Sequence, residues 1–385
     1  MTFETPAVTS RLPAVGTTIF TVMSALATRH GAVNLGQGFP DFEGDPALVD
    51  AVVEAMRSGH NQYPPMPGVP ALRSAIAGKI EALHGTRYDA DSEITVTAGA
   101  TQALLTAILA LVHPGDEVIV LEPCYDSYEP AITLAGARTV RVPLDPVTLR
   151  VDLNRVAAAL SPRTRAILIN TPHNPTGTVW TVEERNGLRD LLRPTGVLLI
   201  SDEVYEHMVF DGQAHVSAGG DAELAARSLV VSSFGKTFHV TGWKVGYVAA
   251  PAALMAEFRK VHQFNVFTVN TPMQIGLARY LADPAPYLDL PAFYQRKRDF
   301  FRAGLASTRF ELLPCEGTYF QCVAYEQISS LDDEAFCRWL TESVGVAAIP
   351  LSAFSAQAPT RRLVRFCFAK QDATLTAALS RLQAL

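Results

Sequence analysis

The stretch SLVVSSFGKTFHVTGWKVGY, Ser228–Tyr247, opens with a short apolar run and turns at once through small residues to a lysine. Such a continuous run suits a strand buried on both faces of a parallel sheet. The residues that follow, Ser233-Phe234-Gly235-Lys236, fall just beyond its carboxyl end, where open α/β sheets collect ligands. Gly235-Lys236-Thr237 imitates the end of a P-loop, but the earlier glycine position holds Val230, which removes that reading.

Four similar runs lie upstream: Ile94–Thr97, Val118–Leu121, Ala166–Asn170 and Val197–Ser201. From about Asp45 to Asp283 such runs alternate with longer helical patterns, the rhythm of βα units. After Pro284 come a long helical stretch, irregular strand-like segments (TYFQCVA, LVRFCFA) and a last helix, TLTAALSRLQAL. The expected fold is α/β. A large domain, residues 46–283, has a mostly parallel sheet flanked by helices, and residues 1–45 and 284–385 form a smaller α+β domain.

Each run is followed by a polar cluster. Gly99, Ala100 and Thr101 open a helix whose small-residue N-terminus suits an anion. Tyr125 offers an aromatic face, Asn174 an amide, Asp202 and Tyr205 a carboxylate and a phenol, and Ser233, Lys236 and Lys244 a hydroxyl and two amines. Singly these are commonplace in turns. Jointly, at one sheet edge, they match the needs of pyridoxal phosphate: a phosphate cradle, a stacking partner, a carboxylate for the ring nitrogen, donors for the phenolic oxygen, and a lysine.

The rest of the sequence removes competitors. With 32 Lys plus Arg against 38 Asp plus Glu and a net charge of −6, there is no basic field to hold nucleic acid or anionic lipid. The longest apolar stretch, Ala103–Val112, is about half of the roughly 20 residues that span a bilayer. Gly36 and Gly38 begin like a dinucleotide fingerprint, but the third glycine position holds Asp41. The nine histidines lack metal-binding spacing, and His173, His207 and His239 read as turn or supporting residues. The cysteines Cys124, Cys315, Cys322, Cys337 and Cys367 are odd in number and scattered, which fits a reducing compartment. The opening MTFETPAVTSRLP lacks a leader pattern, so a cytoplasmic protein with small-molecule substrates is expected.

NTPHNPTG (Asn170–Gly177), SDEVYEHMVF (Ser201–Phe210) and SSFGKTFHVTGWKVGY (Ser232–Tyr247), with NLGQGFPDF near the start and LVRFCFAK near the end, resemble the class I/II aminotransferases of pyridoxal phosphate fold type I. The resemblance runs over almost the whole chain. It implies that Lys236 is the Schiff-base lysine and the acid/base of the reaction, and that Asp202 pairs with the pyridine nitrogen. It further implies that Tyr205 and Asn174 bond the phenolic oxygen, and that Tyr125 stacks on the ring. Ala100, Thr101, Ser233 and Lys244 would hold the phosphate. Arg365, with Gly38 and Asn174, would clamp the substrate α-carboxylate. Arg361 and Arg362 read as surface charges. Tyr63 in NQYPPMPG would reach the phosphate of a neighbouring subunit, which implies a homodimer.

Within the family, GTTIFTVMSALA, NQYPPMPGVPALR, EPCYDSYEPAI and GVAAIPLSAF look most like the methionine and kynurenine aminotransferase branch. There Ile19 and Phe20 lie where side-chain specificity is set. The expectation is a ping-pong transfer from an apolar or aromatic amino acid, methionine foremost, to a 2-oxo acid. Two alternatives share these residues: an N-succinyl-diaminopimelate aminotransferase and a carbon–sulfur β-lyase, which would release pyruvate. A transcription regulator with an aminotransferase-like sensor domain would need a DNA-binding region, and about 45 residues without a basic helix-turn-helix precede the large domain.

Overall fold

The computed structural model describes residues 7–356 and 360–385; the first six residues of the stretch read for a leader lie outside the described residues. A short strand, β1 (Val33–Asn34), precedes β2 (Ile94–Thr97), β3 (Glu117–Glu122), β4 (Arg138–Pro143), β5 (Thr164–Asn170), β6 (Leu198–Asp202), β7 (Ser228–Ser233) and β8 (Gly246–Ala249). Strands β2 to β8 form one seven-stranded sheet in the order β2-β8-β7-β6-β5-β3-β4. Neighbours from β4 across to β7 are parallel, whereas β8 is antiparallel to both β7 and β2. β2 and β7 therefore point the same way with one reversed strand between them.

The apolar runs are continuous because both faces of the sheet are covered, successive side chains pointing to opposite sides. Val118 and Val120 pack with Leu104, Ile108 and Phe258, whose helices, Gly99–Leu111 and Ala252–Asn265, cover one face. Ile119 and Leu121 pack with Leu188 and Leu192 of the helix Val182–Leu192 on the other. Truncating one of these leucines to Ala would cost about 2–5 kcal/mol.

Two strands of this sheet escaped the sequence reading. β4, RTVRVP, is an edge strand whose Arg138 and Arg141 reach Glu117 and Glu129, so it lacks the apolar run of a central strand. β8 is four residues long and begins directly after the Lys244 turn. The run Ile94–Thr97 also bonds differently from expectation, since its partner is the antiparallel β8.

Beyond these lie β9 (Glu311–Leu312), β10 (Phe320–Ala324), β11 (Val346–Ala347), β12 (Ile349–Pro350) and β13 (Leu363–Cys367). β12, β13, β10 and β9 make an antiparallel sheet in that order, and β1 pairs in parallel with β11. An isolated bridge between Val209 and Gly317 ties the approach to β10 to the segment after β6. A Cβ on Gly317 would sit 2.7 Å from the Met208 carbonyl oxygen, so only glycine permits this approach.

Candidate active site

β2 ends at Thr97, and the chain turns through Ala98 and Gly99, the latter at φ +75°, into the helix Gly99–Leu111. The first N–H groups of a helix have no intrahelical acceptor, and Ala98 supplies no side-chain cap for them here. Ser233 and Lys244 line the cavity beside Ala100 and Thr101. A Cβ on Gly99 would sit 3.3 Å from Lys244 Nζ, and one on Gly246 would sit 2.6 Å from the Ser232 carbonyl oxygen. The two glycines thus let the reversed strand and its lysine close on the helix start. Free N–H groups, the helix dipole and an ammonium converge on one spot, which is an anion site.

At the end of β6, Asp202 accepts the Tyr128 hydroxyl at 2.7 Å and the Val204 N–H at 3.3 Å. Burial raises its carboxyl to about 6, and the bond from Tyr128 opposes the rise. Asn170 donates to the Asp202 carbonyl at 2.8 Å and accepts the Asn174 N–H at 2.7 Å, hanging the Thr171–Gly177 turn on β6. Tyr125 sits edge-on to Tyr128 with ring centroids 5.9 Å apart. Desolvation pushes its phenol up to about 12.

Lys236 is on the single helical turn Phe234–Thr237 that follows β7. Its Nζ donates to the Tyr319 hydroxyl at 2.9 Å and to the Gly38 carbonyl at 3.2 Å. Burial lowers its pKa to about 8, so about a tenth is neutral, nucleophilic amine at pH 7, a few hundred times the share of an exposed lysine. Gly38 has a reason for being glycine other than the close substrate approach expected of it: a Cβ there would meet Phe320 Cζ at 2.9 Å.

Arg365, in the middle of β13, is 1 % exposed. Its Nη1 donates to the Asn174 side-chain oxygen at 2.5 Å and its Nη2 to the Gly36 carbonyl at 3.4 Å, while Nε has no partner among the described residues. Among the described residues no carboxylate forms an ion pair with it, although its field lowers the Asp126 carboxyl against the rise caused by burial. Aromatic rings enclose it, with centroids at 3.8 Å for Phe320, 4.8 Å for Phe354 and 5.5 Å for Phe20.

One cavity of about 350 Å³ is lined by Phe20, Gly38, Ala100, Thr101, Tyr125, Asn174, Asp202, Tyr205, Ser233, Lys236, Lys244 and Arg365. Ile19 packs against the core instead. Tyr63 lies away from it, 80 % exposed and edge-on to Phe267. None of His173, His207 and His239 lines the cavity. Tyr128 and Tyr319 are among the residues the sequence reading missed, as are Phe320 and Phe354 beside Arg365. A tyrosine three residues after Tyr125, at the start of the short helix Tyr128–Leu134, was the available signal for the first; nothing local marks the second.

The profile of the family "Aminotransferase class I and II" matches residues 30–382. The chain belongs to this family. It is a pyridoxal phosphate enzyme, an aminotransferase with a large, mostly parallel sheet. It is 54 % identical to the methionine aminotransferase of Escherichia coli over 98 % of both chains. It superposes with TM-score 0.97 on the crystal structure of an E. coli protein described as having a methionine aminotransferase function, at 54 % identity and covering 99 % of this chain and 100 % of that one. The N-succinyldiaminopimelate aminotransferase of Mycobacterium tuberculosis matches with TM-score 0.94 and 43 % identity, over 98 % of this chain and 100 % of that one.

The cavity of this aminotransferase fits its cofactor on observations independent of that likeness. A phosphate has uncapped N–H groups and Lys244 to meet it, a cationic ring nitrogen has the buried Asp202 carboxylate, and an aldehyde has a buried amine of lowered pKa. The unpaired Arg365 Nε lies beyond these, at the aromatic end.

Proposed function

We propose that this aminotransferase takes its amino group from methionine, or from an apolar or aromatic amino acid, and passes it to a 2-oxo acid by a ping-pong route. The observation that carries this reading is Arg365: a buried guanidinium without a carboxylate partner, boxed by Phe20, Phe320 and Phe354. It leaves one place for an α-carboxylate and surrounds that place with apolar surface. Among the described residues no second arginine lines the cavity to take a side-chain carboxylate. The likeness to the E. coli methionine enzyme supports the same donor.

Pyridoxal phosphate, when bound, supplies an aldehyde carbon that takes up the amino group and a ring that accepts an electron pair. In this reading Lys236 binds the cofactor covalently and then, freed, takes the proton from the substrate Cα onto Nζ. Asp202 holds the proton on the ring nitrogen, Tyr205 and Asn174 bond the phenolic oxygen, and Tyr125 covers the ring face. Ala100, Thr101, Ser233 and Lys244 hold the phosphate. Arg365, Asn174 and Gly38 orient the donor by its carboxylate, and Phe20 covers its side chain.

The proposal includes the domain division at residues 46–283, with 1–45 and 284–385 as the smaller unit; the pairing of β1 with β11 supports it. It includes a homodimer in which Tyr63 completes the partner's phosphate site. The exposed Tyr63–Phe267 pair is the support. It includes a cytoplasmic location, supported by the free cysteines.

The test is a single-turnover titration of the purified holoenzyme, read by the change in cofactor absorbance, with methionine and N-succinyl-diaminopimelate as competing donors. Methionine is expected to react with the higher specificity constant. A tenfold or larger preference for the succinylated donor, or pyruvate released from a cysteine conjugate faster than methionine is transaminated, overturns the choice of donor or of reaction.

A further inference from the structure

Tyr319 touches the amine at the centre of the site. Its hydroxyl donates to the Gly38 carbonyl at 2.6 Å and lies 2.9 Å from Lys236 Nζ, which is also 3.2 Å from the same carbonyl. A phenol has one proton to give. With that proton on Gly38, the Tyr319 oxygen acts toward Lys236 only as an acceptor. A neutral amine has two N–H bonds and one lone pair. The Tyr319 and Gly38 oxygens lie together on one side of Nζ, so the N–H bonds turn to that side and the lone pair is left facing away from both oxygens.

The phenol is itself held. Tyr319 is fully buried, its ring edge-on to Tyr205 at 5.2 Å and to Phe320 at 4.8 Å and tilted against Tyr294 at 5.7 Å. Its carbonyl accepts the Phe368 N–H at 2.9 Å. Burial holds its pKa well above the ordinary tyrosine value, so the proton stays in place across the working range. Because it immediately precedes β10 while Lys236 follows β7, the contact joins the two sheets.

We infer that Tyr319 is a positioning residue for Lys236: with the Gly38 carbonyl, it fixes the rotation of the amine so that the lone pair, and not an N–H bond, meets the substrate Cα. When the Cα–H bond breaks, its proton ends on Nζ along that lone pair and its electron pair passes to the cofactor. The inference rests on the proposed role of Lys236.

Tyr319→Phe keeps the ring and removes the acceptor. In the holoenzyme, cofactor stoichiometry and methionine dissociation constant are expected to stay within about twofold, while the half-reaction slows by about 10- to 100-fold and the isotope effect with Cα-deuterated methionine rises. A second readout needs no turnover. In the apoprotein, the pH midpoint for carbamylation of Lys236 by cyanate, followed by peptide mass, is expected to fall, because an acceptor for the ammonium is gone. An unchanged isotope effect with an unchanged midpoint overturns the inference and leaves the role of Lys236 standing. If Lys236→Met still forms a covalent, borohydride-trapped adduct with the cofactor, the role of Lys236 fails and the inference with it. Should Tyr319→Phe not fold, amine-proton exchange in ¹⁵N-lysine-labelled parent apoprotein decides: slowed exchange at Lys236 supports the held amine, and exchange as fast as at surface lysines overturns it.

Discussion

Arg365 Nη1 donates to the Asn174 side-chain oxygen at 2.5 Å, so the buried guanidinium of the site is tied to a neutral amide. The amide fixes one nitrogen without neutralising the charge, and a two-pronged anion remains the better partner. Replacing the planar fork by an ammonium keeps the charge and loses the geometry. Arg365→Lys should cost about 2–4 kcal/mol, a roughly 30- to 1000-fold fall in kcat/KM with every α-amino acid, with cofactor absorbance unaltered. Steady-state kinetics with methionine and spectra of the resting enzyme check both halves.

Lys236 makes the apoprotein's stability pH-dependent. Its pKa is lowered from 10.5 unfolded to about 8 folded, so its contribution is fully present above 10.5 and is lost as pH falls through 8. The shift corresponds to about 3 kcal/mol. Urea denaturation of the apoprotein should show stability rising from pH 8 to 10.5 relative to Lys236→Met, which lacks the titrating amine. A flat difference between the two curves contradicts the buried, lowered lysine.

Behind the sheet, Lys79 pairs with Glu206 at 2.7 Å, both side chains 5 % exposed or less, and Tyr247 bonds both partners. Glu206 lies one residue beyond Tyr205, on the turn that also carries Asp202. Lys79→Met strands a buried carboxylate and should lower stability by about 3–5 kcal/mol, with Lys79→Met/Glu206→Met recovering much of the loss. Thermal melts of the single and double variants measure this. Equal destabilisation in both would show that volume, and not charge, governs the site.

Gly246→Ala puts a Cβ 2.6 Å from the Ser232 carbonyl oxygen and 3.3 Å from Ala100 N. The strand must move off the helix start, at a cost of about 1–3 kcal/mol. Retention of cofactor on dialysis against phosphate should fall about tenfold or more, because the Ala100 and Thr101 N–H groups and Lys244 are displaced together. Retention equal to the parent would mean that the cradle tolerates the shift.

The strands and their following residues could be read because burial on both faces writes a continuous apolar run, and each run ends at the cavity. β4 could not, since an edge strand carries charges, and neither could β8, whose four residues carry no period of their own. Tyr319 was hidden for another reason: its meeting with Lys236 joins residues 83 positions apart and depends on how β10 approaches β7. The same holds for Gly38, where Phe320 from a remote strand occupies the space that glycine leaves. Local pattern records what a residue is buried in, and not which distant group it faces.

The reversal of β8 has a metrical consequence. The anion-binding helix start follows β2 and the lysine follows β7, and one strand separates them. Their spacing is therefore two ladder widths, about 9.6 Å between strand axes, fixed by backbone geometry and indifferent to side chains. β8 works as a gauge block: sequence may drift along it, but adding or removing a strand there would lengthen or shorten the span a ligand must bridge by about 4.8 Å.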